Sequence, residues 1–441
     1  MQAATYEVGP GKALAAIGKV PWQRLQPGDT VLIHWRPEPY REKFTVWHQG
    51  TAKAPITVRG VPGPGGQLPV IDGENAVTPP SPSYQSEGRS VVHVRATDMS
   101  AAAAPPRYIV IERLEIRGGR EPNTFTAADG SIRKYARNAC ALYVRGEHIT
   151  VRRCTLDDSG NGLFVSTPDL TPSHDILVDS NYIYGNGVVG SVYDHNSYTA
   201  ARNITFQYNH YGPLRPGAGG NNLKDRSAGL VVRYNWIEGG SRELDLVDAE
   251  DSSALRADPA YRRTVVYGNI LIEPPGDGNN QILHYGGDSR KEDWYRKGTL
   301  YFFNNTIVSR RTDRTTLFRL STNDERCEAR NNIFYTVKAG ATLSLVNTAG
   351  HLVLSHNWIK PGWRPAFSEL TGRIDNDHTM IETDAPGFVD EAGEDYRPAA
   401  KSPAARQGAA VPEKVDRQYA KHQRWEKRAD ARDIGAYRRA K

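Results

Sequence analysis

One octapeptide recurs along the chain and constrains its fold more than any other feature. It reads ITVRRCTL at 149–156, ILVDSNYI at 176–183, ITFQYNHY at 204–211 and LVVRYNWI at 230–237. It continues as TVVYGNIL at 264–271, LYFFNNTI at 300–307, CEARNNIF at 327–334 and LVLSHNWI at 352–359, with a degenerate early copy, IVIERLEI, at 109–116. Apolar residues mostly take positions one, three and eight. Asn takes position six in seven copies: Asn181, Asn209, Asn235, Asn269, Asn305, Asn332 and Asn357. From 149 onward most copies begin 25 to 28 residues after the last, and two intervals are longer. The alternating start reads as a strand. The Asn ends it, because Asn tolerates left-handed backbone and its amide bonds the backbone of a turn. Stacked from coil to coil, such amides can also form a hydrogen-bonded ladder. Helical repeats would show a 3.6-residue pattern, and propeller blades need about 40 residues or more. A parallel β-solenoid remains.

The composition agrees. Gly (41) and Pro (28) are plentiful enough for many turns and short strands. No stretch approaches the ~20 apolar residues of a membrane span, so no membrane insertion is expected. The net charge of +6 is spread without a long Lys/Arg run, which reads as surface chemistry and not as a nucleic-acid interface. Three Cys (Cys140, Cys154, Cys327) do not make a disulfide framework. The opening MQAATYEVGPG has neither the charged nor the apolar region of a signal peptide. Two readings stay open on this: a cytoplasmic protein, or the mature form of an exported one.

In a solenoid, equivalent residues of successive coils stack about 4.8 Å apart, so a functional face is found by aligning coils. A second short strand follows each octapeptide: GLFV at 162–165, DHNSYTA at 194–200, NNLKDRSA at 221–228, RELDLVDAE at 242–250, NQILHYGG at 280–287 and TLFRLS at 316–321. Strand alternation puts Asn222, Lys224 and Arg226 on one face. It points Leu244 and Leu246 inward, and Glu243, Asp245 and Val247 outward. Asn196 shares a face with Tyr198, while His195 lies on the opposite phase or at a bend. Arg319 points out, and either His284 or Tyr285 does. One coil separates Lys224 from Asp245, which predicts near neighbours. Cross-strand pairing of opposite charges is ordinary on such surfaces. Here, however, amides, cations, carboxylates, Tyr and His crowd consecutive coils, with inserts at 212–220, 249–263 and 286–297 beside them.

The repeats resemble right-handed parallel β-helices, and the segments at 27–73 and from about 384 resemble the opening and closing coils of secreted polysaccharide-active members. The resemblance implies an all-β, single-stranded right-handed parallel β-helix over 1–383, with a capping segment at 384–441 packed on the same domain. DHNSY, NNLKDRSA, SRELDLVDAED, NQILHYGG and NNTIV look like a bacterial group of β-helix polysaccharide-degrading proteins, with weaker similarity to the alginate lyase and chondroitinase B family. In that family an acidic pair on one coil binds calcium, a Lys is the base and an Arg of the following coil is the acid. Glu243 and Asp245 match the acidic pair. The expected downstream Lys is absent from VDAED, and Leu283-His284 stands where the next coil would carry Arg-His. The resemblance thus implies a secreted or periplasmic monomer acting on an acidic polysaccharide.

The leading expectation is β-elimination on a uronic-acid polysaccharide. That chemistry must neutralise the carboxylate beside C5, remove the C5 proton and protonate the leaving oxygen. Arg226, Asn222, or a calcium ion held by Glu243 and Asp245 can do the first. Lys224 is the candidate base if its neighbours lower its pKa, with His195 as alternative. Tyr198 is the candidate acid, and His284 the second. Asn196, Asn222, Arg319, Tyr285 and Trp294 are candidate sugar-binding residues, Trp294 by stacking. Trp236 and Trp358, within the repeats, read as packing. Two other readings compete: a glycoside hydrolase using a carboxylate pair, and a non-catalytic glycan-binding β-helix. A C5 epimerase would share the proton abstraction.

Overall fold

The computed structural model describes residues 3–79, 86–97, 104–276, 278–429 and 432–440. Nearly all of its regular structure is strand, and the fold is a right-handed parallel β-helix. No described helix is long and apolar enough to cross a membrane. The chain divides into two compact units, Met1–Ile204 with Leu214–Gly220 and Thr205–Pro213 with Asn221–Lys441.

In the first unit each coil contributes to three parallel sheets. One contains Arg107–Glu112, Glu147–Arg152 and His174–Asp179. The second contains Glu115–Arg117, Thr155–Leu156 and Tyr182–Ile183. The third runs Phe44–Val46, Ser90–Val94, Cys140–Val144, Asn161–Val165 and Ser197–Thr199. The second unit repeats the plan. Its third sheet, which carries most of the candidate site, runs Leu223–Asp225, Leu244–Leu246, Gln281–Tyr285, Thr315–Leu320 and Leu343–Val346.

The octapeptide is more than one strand. In LVVRYNWI, Val231–Arg233 belongs to one sheet and Trp236–Glu238 begins the next, with Tyr234 and Asn235 as the corner. The left-handed residue is not the position-six Asn, as its tolerance of that backbone suggested, but position five: φ is 53° at Arg153, 58° at Ser180, 55° at Tyr234 and 54° at His356. Outside Gly and Asn this backbone costs about 1–2 kcal/mol per residue. Gly268 fills position five where a Cβ would meet the Tyr234 ring at 2.5 Å.

The Asn of position six offsets that cost. In the second unit each Asn donates from Nδ2 to the Oδ1 of the next: Asn209 to Asn235 and Asn235 to Asn269 at 2.9 Å, Asn269 to Asn305 at 3.0 Å, Asn305 to Asn332 at 3.1 Å and Asn332 to Asn357 at 2.9 Å. The same oxygens accept the backbone N–H of the preceding Asn. From Asn235 to Asn357 each Nδ2 also reaches back to a carbonyl of the coil before, as Asn269 does to Val232 at 2.9 Å. All six are fully buried, so every unmade bond would carry a desolvation cost. In the first unit Asn181 Oδ1 accepts the N–H of Cys154, which occupies position six of its own coil. Cys140, Cys154 and Cys327 are buried free thiols, and burial pushes Cys154 up to about 12.

The segment from 384 packs within the second unit. It forms two antiparallel hairpins, Phe388–Asp390 with Asp395–Pro398 and Arg417–Ala420 with Arg424–Lys427. Tyr396, Tyr419, Ile434 and Tyr437 pack on Trp236, Ile270, Ile333 and Trp358, so both repeat tryptophans are core residues.

Candidate active site

In the second unit, strand register makes one file of Lys224, Asp245, His284 and Arg319. Leu244 and Leu246 flank Asp245 and are fully buried, as the alternation predicts. Lys224 Nζ donates to Asp245 Oδ2 at 2.7 Å and to Asp288 Oδ2 at 2.5 Å. Asn221 Nδ2 donates to the same Asp245 oxygen at 2.9 Å. His284 Nδ1 lies 2.9 Å from Asp245 Oδ1, and its Nε2 lies 2.9 Å from Ser321 Oγ. Burial lowers the imidazole pKa despite the bond to Asp245, so the ring is neutral. A carboxylate only accepts, hence Nδ1 donates to Asp245 and Nε2 accepts from Ser321. Both nitrogens of His284 are thus engaged, and the residue is 2% exposed.

The charges settle Lys224 differently from the expectation. Burial pushes its pKa down, but Asp245 and Asp288 outweigh burial and Arg226, and the ammonium is held charged. Burial would raise Asp245, yet Lys224, His284 and Arg242 hold it well below the usual carboxylate range. The shift is opposite in direction to the lowering that a base role for Lys224 called for.

Arg226 lies beside it. Its NH2 is 3.0 Å from Asp288 Oδ1 and 2.8 Å from Glu250 Oε1, and its NH1 donates to the Asp248 carbonyl. Asp288 is thus gripped at one oxygen by Lys224 and at the other by Arg226. Its backbone N–H donates to Asp248 Oδ1 at 2.7 Å, which fixes the 286–297 insert over the two cations. Their side chains are 8% and 5% exposed, whereas that of Asp288 is 32% exposed. Below them Arg296 donates to the carbonyls of Val247 and Ser227, at 3.0 and 2.7 Å. Val247, expected to point outward, is fully buried.

Several expected ligand-binding residues are internal. Asn222 is fully buried, and its Nδ2 donates to the carbonyls of Gly212, Glu238 and Gly239. Tyr285 is fully buried in register with Leu246 and Leu320; of the pair left open by the sequence, His284 takes the outer file and Tyr285 the core. Trp294 is half-buried with Lys291 Nζ 3.6 Å and the Arg256 guanidinium 4.1 Å from its ring centre, so cations already hold the surface a sugar would use. Arg319 is half-buried at the end of the Lys224 file.

His195, Asn196 and Tyr198 belong to the first unit. Asn196 is fully buried and accepts from Asn186 Nδ2 at 2.9 Å, a structural amide and not a sugar ligand. The backbone N–H of His195 donates to Asn161 Oδ1 at 2.8 Å, and its ring stacks 5.7 Å from that of Tyr198. Tyr198 in turn stacks on Phe164 at 5.2 Å, and Phe164 on Tyr143 at 5.5 Å, one residue per coil. Tyr198 and Phe164 are partly exposed.

Calcium takes six to eight oxygen ligands. Asp245 instead meets Lys224, Asn221 and His284, all donors, with Arg242 3.7 Å away. An ammonium 2.7 Å from the carboxylate stands where a cation would have to sit. Glu243 is fully buried on the same strand edge. This donor set does not fit calcium.

Sequence reasoning missed Asp288, Glu250 and Ser321. Asp288 lies in the insert 286–297, and an insert has no register from which to place a side chain.

No protein-family model matches the chain, and no curated protein does. Among solved structures it is similar to an alginate lyase from Paenibacillus sp. str. FPU-7, at 14% identity over 80% of this chain and 99% of that one, with a TM-score of 0.50. It is similar also to pectate lyase Pel9A, at 12% identity over 100% of this chain and 97% of that one, again with a TM-score of 0.50. At these identities the likeness is one of fold, the right-handed parallel β-helix.

Proposed function

We propose that the protein is a polysaccharide lyase that cleaves a uronic-acid-containing polymer by β-elimination. One observation carries the reading: a carboxylate, that of Asp288, clamped between the buried cations Lys224 and Arg226. A uronate has to be neutralised in this way before its C5 proton becomes acidic. Asp288 stands in for the substrate carboxylate and leaves the two cations when sugar arrives. Lys224 and Arg226 neutralise, Asp245 and His284 hold Lys224 in place, and Arg319 extends the binding file. The proton-transfer roles expected of His195 and Tyr198 are open to separate test by His195→Ala and Tyr198→Phe. A polymer of this kind is met outside the cytoplasm, in keeping with a secreted or periplasmic enzyme.

A glycosidase needs one carboxyl that keeps its proton. Asp245 and Asp288 are both held ionised by cations. Glu250 is the exception, pushed up by burial and nearby acids against Arg226, which is the observation that keeps hydrolysis as the second reading. Incubation with alginate, glucuronan and glycosaminoglycans separates the readings. Ultraviolet absorbance of an unsaturated uronate is expected. New reducing ends without that absorbance would mean a hydrolase, and binding without either would mean a glycan-binding solenoid.

A further inference from the structure

The first unit carries a second cluster of chemistry, on the strands Arg107–Glu112, Glu147–Arg152 and His174–Asp179. Register pairs Glu147 with Arg107 on one side and with His174 on the other, so His148 falls beside Asp175. The second residues of four successive strands, Tyr108, His148, Asp175 and Asn203, all have left-handed backbone, with φ of 52°, 52°, 56° and 58°. Side chains that strand alternation alone would not gather therefore form one file. Tyr108 stacks flat on His148, ring centres 4.4 Å apart. The His148 and His174 rings cross at 84° with centres 5.1 Å apart.

Both imidazoles converge on one oxygen. Asp175 Oδ2 lies 2.9 Å from His174 Nδ1 and 3.4 Å from His148 Nδ1. Ligand atoms of His148, His174 and Asp175 all lie within 4.8 Å of one another. In a tetrahedral zinc site with bonds of about 2.0–2.1 Å, neighbouring ligand atoms are about 3.3 Å apart. The two nitrogen–oxygen separations bracket that value. The outer partners are also those of a metal centre. Asn203 Nδ2 donates to the other Asp175 oxygen at 3.2 Å and orients the carboxylate. Glu147 Oε2 lies 3.6 Å from His174 Nε2, the nitrogen that would carry the proton once Nδ1 binds an ion.

We propose that His148 Nδ1, His174 Nδ1 and the Asp175 carboxylate form a binding site for a divalent transition-metal ion of the Zn2+ class, with water in the fourth position. Two imidazoles and one carboxylate suit a borderline ion and give too few oxygens for calcium. The ligands come from two adjacent coils, so the ion pins one coil to the next and stabilises the folded chain by an amount that grows with the logarithm of free Zn2+ above its Kd.

The test is calorimetric titration of the full chain with ZnCl2, paired with thermal unfolding with and without Zn2+ and with the visible spectrum of the Co2+ form. One Zn2+ per chain is expected, with a rise of a few degrees in the unfolding midpoint and the d–d bands of four-coordinate Co2+. The double variant His148→Ala/His174→Ala should lose all three while keeping the metal-free midpoint. Asp175→Asn should weaken binding about tenfold or more, and decides the matter if the double variant does not fold. No heat at millimolar Zn2+, or equal binding by wild type and Asp175→Asn, would overturn the proposal and leave a His–Asp ion-pair cluster.

Discussion

Two files of polar side chains run along the second unit, and they differ in what they can repeat. The corner file holds Asn209, Asn235, Asn269, Asn305, Asn332 and Asn357, each bonded to the next. An amide is donor and acceptor at once, so identical groups satisfy one another without limit. The file on the third sheet holds Lys224, Asp245, His284 and Arg319, four different groups on four coils. Charges cannot repeat in that way, since like neighbours repel. This file therefore departs from periodicity and recruits partners from beyond it: Asp288, Glu250 and Ser321. Repetition serves architecture, and its interruption marks chemistry.

The largest expected effects come from breaking the charged file. Lys224→Ala and Arg226→Ala should each lower kcat by about 10²–10³, as loss of one preorganised charge does. Asp288→Ala should instead lower KM, because it removes the internal competitor for the two cations. Steady-state kinetics on the best polymer distinguish these outcomes, and EDTA should leave the rates unchanged.

Asp245→Ala leaves Lys224 and His284 buried without their shared partner, and should cost about 3–5 kcal/mol in urea unfolding. Asn269→Ala cuts the amide file at its centre and strands neighbouring polar groups. About 1–3 kcal/mol for each group stranded is the expected loss, with the stability of the Lys224 file otherwise intact.

The smallest effect is in pH. His284 has a depressed pKa in the folded chain, so its contribution is fully present above the unfolded value of 6.5 and is lost as pH falls toward its folded value. Over that window stability should decline by at most about 1.4 kcal/mol per pH unit from this group, and His284→Gln should flatten the decline. Asn269→Ala should not alter the slope. If it does, the two files are coupled.

What could be read from sequence follows the same division. The octapeptide and its Asn disclosed the solenoid and the amide stack, because both obey a period. Alternation within NNLKDRS and RELDLVD was enough to pair Lys224 with Asp245. The state of Lys224 was not legible, because Asp288 arrives from an insert and joins Asp245 in raising its pKa against burial and Arg226. Trp294 was placed beside the site, but the cations over its ring lie at Lys291 and Arg256, the latter nearly forty residues away in sequence. The left-handed corners were assigned one residue late, since most of the residues at position five give no compositional sign of that backbone.

The direction of the amide stack has a mechanical consequence. The side-chain nitrogens of Asn235, Asn269, Asn305 and Asn332 each grip a backbone carbonyl behind and a side-chain oxygen ahead, as Asn305 does with Val266 and Asn332. No interior coil can let go without releasing the neighbours on both sides. Under tension or dilute denaturant, the second unit should therefore fray from its termini inward, like a zip whose teeth all lean one way.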